Sequence, residues 1–124
     1  KLNLNNYIKH GTYGECLPVI KRTKFLQYKY DADLRGFEGL AYIRMIKNNL
    51  NLYVIKDAAR YYNSQGEDRL STKANVFNRA DKILEGYKRY KKEVFHIVDI
   101  FSKTYINYKI LQYYFFSAIK KLLK

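Results

Sequence analysis

From about Lys73 onward, apolar residues recur at three- and four-residue spacing, and this periodicity constrains the fold more than any other feature of the chain. Ile110, Leu111, Tyr114, Phe115, Ala118, Ile119, Leu122 and Leu123 make one broad apolar face, with Tyr105, Tyr108 and Tyr113 at its margins. This spacing predicts a helix over Tyr105 to Leu123, with Lys120, Lys121 and Lys124 at the end where the helix dipole favours cations. Phe77, Ile83, Leu84, Tyr87 and Tyr90 predict another from about Lys73 to about Lys92, with Ser71 or Thr72 as its N-cap. Val94 to Ser102 reads as a separate helix between them.

The first part of the chain is mixed. Leu2 to His10 reads as a short helix or an irregular edge, and Gly11 and Gly14 flank a loop. Leu17 to Lys21 alternates weakly and reads as a short strand, with Pro18 placing it at an edge. Thr23 can cap a single helical turn through Tyr28, and Tyr30 to Gly36 reads as loop. Leu40, Ile43, Met45, Ile46 and Leu50 predict a helix over Gly36 to Asn49, stopped by Asn48-Asn49. Leu52 to Tyr62 switches toward period two and predicts a second strand, followed by a turn-rich loop, Asn63 to Arg69. Two short strands do not make a self-sufficient sheet, so they are expected to join a larger one outside this chain. The expected class is α+β and mainly helical, in two parts: residues 1–71, and a helical extension over residues 72–124.

The chain has 124 residues and a net charge of +13, from 24 Lys and Arg against 11 Asp and Glu. With 48% hydrophobic residues it can bury a core, and its charge points to polyanionic partners. One cysteine, Cys16, excludes an intrachain disulfide, and with two histidines it excludes an ordinary closed zinc site. No apolar run approaches the ~20 residues that span a bilayer, and the start shows no secretory signal pattern. The first residue is Lys1, so the chain reads as a piece of something longer. A reducing, cytoplasmic location is expected, on or near the inner face of a membrane.

The segment richest in chemistry is Arg35-Gly36-Phe37-Glu38-Gly39-Leu40-Ala41-Tyr42-Ile43-Arg44-Met45. Glu38 stands just after a glycine, at the first turn of an amphipathic helix, where unpaired N–H groups favour a carboxylate. The plain reading is a helix-stabilising acid. The segment also resembles a motif of family 2 glycosyltransferases, which have a GT-A fold. Gly36 lies on that motif's glycine, Glu38 on its second acid and Arg44 on its arginine, while Phe37 replaces the first acid. The similarity covers roughly Gly11 to Lys92. It takes in Gly14 to Arg22 as the segment leading into a strand, Leu52 to Tyr62 as the strand after the motif helix, and Asn63 to Ser71 as the loop before the C-terminal helices.

The resemblance implies that this chain is the C-terminal, acceptor-side portion of a GT-A α/β glycosyltransferase domain, with two short strands and a helical tail. It implies an enzyme that moves a sugar from a nucleotide-sugar donor to a glycan or lipid-linked acceptor. Glu38 would be the general base, within hydrogen-bond reach of the acceptor hydroxyl. Arg69, with Asp68 and Ser71, would clamp a phosphate beside a helix start, Arg60 would reach the same cleft, and Glu15 and Tyr62 would contact a sugar. Asp31-Ala32-Asp33 lies too close to Glu38 to be the metal motif, so Mg or Mn is expected on a missing N-terminal half and no metal on this chain. The chain is then inactive alone and needs that half, or an oligomer contact.

Two readings stand beside this one. The interleaving of Tyr with Lys and Arg over Tyr87 to Lys92 suits a nucleic-acid-binding helical module, but nucleic acid is disfavoured because the basic residues are spread along every segment. Lys and Tyr at the margin of an apolar face also suit contact of residues 105–124 with an anionic membrane surface, against plain packing of that helix on a core.

Overall fold

The structure, a computed structural model, describes residues 1–12, 18–55 and 73–123. Its regular elements are helices: α1 (Leu4–His10), α2 (Arg22–Gln27), a 3-10 turn (Ala32–Leu34), α3 (Gly39–Lys47), α4 (Lys73–Asn78), α5 (Ala80–Val94) and α6 (Ile100–Leu122).

Helices α5 and α6 form an antiparallel hairpin. Its ends are fixed by Lys120 near the end of α6, whose Nζ donates to the Asn78 carbonyl at 2.5 Å and to Asp81 at 3.2 Å near the start of α5. Helices α1 and α3 cover one side of the hairpin. Leu40 and Ile43 of α3, Tyr7 and Ile8 of α1, Tyr90 and Val94 of α5 and Ile106 of α6 share one buried cluster, joined by Leu34 from the 3-10 turn and Val98 from the hairpin connection. The apolar stripe of α3 thus faces inward, as its spacing requires.

The end of α3 is set by local chemistry. Asn49 takes a left-handed conformation (φ 61°), the Leu50 N–H donates to the Met45 carbonyl and the Asn49 N–H to the Ile46 carbonyl. These two bonds close a Schellman cap, and Asn is the residue after Gly best suited to its left-handed position. Asn49→Ala is therefore expected to lower stability by about 1 kcal/mol and Asn49→Gly to leave it nearly unchanged. Thermal unfolding of the three proteins checks this, and an alanine variant melting with the parent would overturn it.

The structure corrects the expected fold class. Among the described residues there is no strand, so neither the α+β assignment nor a portion of a GT-A α/β sheet holds. Of the strand expected over Leu17 to Lys21, residues 18–21 form no regular element, and Val19 is almost wholly exposed. Of that expected over Leu52 to Tyr62, residues 52–55 are described. Their alternation is real: Leu52 and Val54 are half-buried while Tyr53 and Ile55 face out. Among the described residues they meet no ladder, only the Leu2 N–H donating to the Leu52 carbonyl at 2.7 Å. Period-two patterning reports one-sided packing of an extended segment, and only a neighbouring strand turns that into a sheet.

Helix boundaries shift as well. The separate helix over Val94 to Ser102 does not form. Residues 95–99 are the hairpin connection, and α6 starts at Ile100 because the Asp99 carboxylate accepts the Ser102 N–H at 2.7 Å. The helix expected from Lys73 to Lys92 is split at Arg79, next to Asn78, whose carbonyl accepts a hydrogen bond from Lys120.

Candidate functional site

Glu38 lies at the N-terminal boundary of α3, exposed, at the edge of an open cleft of 370 Å³ that Tyr7, Lys9, His10, Tyr90 and Tyr105 also line. Its Oε1 accepts the Gly36 N–H at 3.0 Å. The carboxylate thus closes the short loop in which Gly36 takes a positive φ of 82°. The phenols nearby are weak acids made weaker. Burial pushes Tyr90 far up, and burial with the hydrogen bond to Tyr30 does the same to Tyr42. At neutral pH both are neutral hydroxyls, and of the two only Tyr90 lines the cleft.

Arg44 faces away from that cleft into an ion-pair network. Its guanidinium grips Asp31 with two nitrogens at 2.6 and 3.2 Å and donates to Glu93 at 3.1 Å. Glu93 also accepts from Lys47 at 2.9 Å. Arg89 of α5 donates to Asp31 at 2.8 Å, to Asp33 at 2.5 Å and to Glu85 at 3.2 Å. Hydrogen bonds from Arg44 and Arg89 hold the Asp31 carboxyl below its ordinary value in spite of partial burial. The network ties the 3-10 turn and α3 to α5. Among the described residues no group of His, Cys, Asp and Glu is arranged to hold a metal ion.

The structure therefore brings Glu38 to the mouth of a cleft and separates it from Arg44, which serves the fold. Glu15, Arg60, Tyr62, Asp68, Arg69 and Ser71 lie outside the described residues. The resemblance to family 2 glycosyltransferases is withdrawn with the sheet it required, and with it goes its support for sugar transfer and for a place in polysaccharide synthesis.

The tyrosines that suggested base stacking are mostly internal. Tyr90 is buried, and Tyr87 is half-buried, stacked on Tyr113 at 5.9 Å and edge-on to Phe37 at 5.3 Å.

Among the described residues, the outer side of α6 carries a run of exposed apolar side chains. Its inner side carries Ser102 and Ile106, both fully buried, then Tyr113, Phe116 and Lys120, each half-buried. Its outer side carries Phe101, Tyr108, Phe115 and Leu122, seven residues apart, with Thr104, Leu111 and Ala118 between them. That alternating spacing of three and four is the a/d seam of a coiled coil, sustained over three heptads. Phe101 is 71% exposed, Tyr108, Leu111 and Phe115 are each 57% exposed, and Leu122 is 84% exposed. Alongside its first half, between α6 and the end of α1, runs an apolar groove of 650 Å³ reached by Phe101, Thr104 and Tyr108. A helix apolar on two sides is normally covered on both, and here the hairpin covers one. No helix among the described residues is long and apolar enough to cross a membrane.

Sequence reasoning recognised the second half of this face and missed the first, because it broke the helix between Ser102 and Tyr105. The Asp99-to-Ser102 spacing was the available signal for an earlier start.

No known protein family matches the chain, and no solved structure matches it. It is similar to the Mediator of RNA polymerase II transcription subunit 14 of Scheffersomyces stipitis, with 34% identity over 95 residues. The match takes in 76% of this chain but only 8% of that protein. That relative's name points away from glycosyl transfer and polysaccharide synthesis.

Proposed function

We propose that this chain is an interaction module that docks a protein partner along the outer face of α6, within a larger assembly. The observation that carries the reading is the solvent-facing a/d seam from Phe101 to Leu122. Full burial of a Leu or Phe side chain is worth about 1.5–3 kcal/mol, so covering this seam offers a driving force that survives the cost of association. The partial likeness to a protein named as a subunit supports a role in an assembly.

The charges favour a protein over an anionic membrane. A helix lying on lipid carries Lys or Arg along the margins of its apolar face. Here Lys103 sits over the Phe95 ring, Lys109 lies among Tyr105, Tyr108 and Tyr113, and Lys120 pairs with Asp81. Only Lys121 stands at the seam's margin among the described residues of α6.

The double variant Leu111→Glu, Phe115→Glu tests the reading. Both side chains are exposed, so the fold is expected to persist, with an unchanged helical circular-dichroism spectrum. Expressed in its own cells, the parent is expected to elute in an assembly much larger than the chain, and the variant is expected to leave that assembly. A variant retained in the same assembly would sink the proposal.

A further inference from the structure

We infer that the outer face of α6 is occupied by the same face of a second copy of this chain, running antiparallel. This rests on the docking reading above and names the partner. The seam from Phe101 to Leu122 is about 32 Å long at 1.5 Å per residue, long enough for a two-helix coiled coil of three heptads.

Shape decides the direction. A parallel, in-register pair would set Phe101 on Phe101, Phe115 on Phe115, Thr104 on Thr104 and Ala118 on Ala118, leaving some layers overfilled and others empty. An antiparallel pair sets both phenylalanines on small residues, Phe101 on Ala118 of the second copy and Phe115 on Thr104, with Tyr108 on Leu111 at the centre. Alternation of large and small across the seam is what lets facing layers interdigitate.

Charge agrees. In the antiparallel pair the flanking positions match Ile100 with Lys121, Asn107 with Tyr114, and Tyr105 with Gln112, so no like charges face each other. A parallel pair brings both Lys121 side chains to one end and aligns the two helix dipoles unfavourably. Repetition of one surface on both subunits also closes this contact at two copies, as a twofold axis requires.

Sedimentation of the 124-residue chain from about 1 µM to about 200 µM tests the inference. The expected mass rises to twice 14.9 kDa, and Leu111→Glu with Phe115→Glu holds it at 14.9 kDa. In a Cys16→Ser background, chains carrying Thr104→Cys and chains carrying Phe115→Cys are mixed and oxidised. Mixed disulfide dimers are expected to form faster than dimers of either chain alone. Faster self-linking by the Thr104→Cys chain would overturn the antiparallel arrangement. A dimer that persists in the double-Glu variant would overturn the seam as the contact. A monomer throughout the range would overturn the second copy, whether the chain then floats with vesicles of anionic lipid or binds another protein. In that case the docking reading survives only if the double-Glu variant still leaves its cellular assembly.

Discussion

Gly86→Ala is expected to destabilise the protein by about 2 kcal/mol, although alanine is the better helix former by about 1 kcal/mol. Gly86 sits in the middle of α5 and is buried. A Cβ added there would lie 2.6 Å from two carbons of the Phe37 ring. That ring cannot retreat easily, because Tyr87 and Tyr90 hold it edge-on at 5.3 and 5.0 Å. Relief requires moving Phe37, and with it the loop that leads into α3. Urea unfolding reads the change as a lower midpoint at unchanged slope. The Phe37→Ala variant supplies the control. In that background the same glycine-to-alanine change should cost much less, since the obstruction is gone. A Gly86→Ala protein as stable as its parent would show that the ring is not wedged.

Removing the Asp31 carboxylate is expected to cost a similar amount, about 2 kcal/mol for Asp31→Ala, since solvent screens a network that is only partly buried. Two guanidinium groups converge on this one side chain, and its loss leaves Arg44 and Arg89 without their shared acceptor in a partly buried place. The effect carries a pH signature. The hydrogen bonds from Arg44 and Arg89 hold the folded Asp31 pKa below its ordinary 3.8. A depressed carboxylate contributes its full stabilisation above the ordinary value and loses it as pH falls through the folded one. Glu93 acts in the same direction. Burial alone would raise its pKa, but hydrogen bonds from Lys47 and Arg44 bring it below 4.5. The parent should therefore lose stability steeply below about pH 4, and Asp31→Ala should lose less over the same interval. Equal slopes of unfolding midpoint against pH would mean that the network contributes nothing to folding.

The helices were legible where their information is local. The Asn48-Asn49 stop, the inward stripe of Leu40, Ile43 and Met45, and the long apolar repeat of α6 can all be read from neighbouring residues. The reading failed where a local pattern needed a distant partner to acquire meaning. Leu52 to Ile55 alternate like a strand, but among the described residues no strand lies beside them. Arg44 looked like a motif arginine until Asp31 and Glu93, from two other elements, closed on it. Glu38 was read in the first turn of a helix and lies just before the start of α3, and its bond to the Gly36 N–H depends on a loop shape that spacing does not specify.

The amino-acid order alone determined that the second half of this chain would be helical and apolar on a broad arc, because helix periodicity is a property of residues within a few positions of one another. Only the tertiary structure decided which side of that arc was used. Packing α1 against Ser102 and α5 against Tyr113 consumed one side of α6, and the other was left facing water.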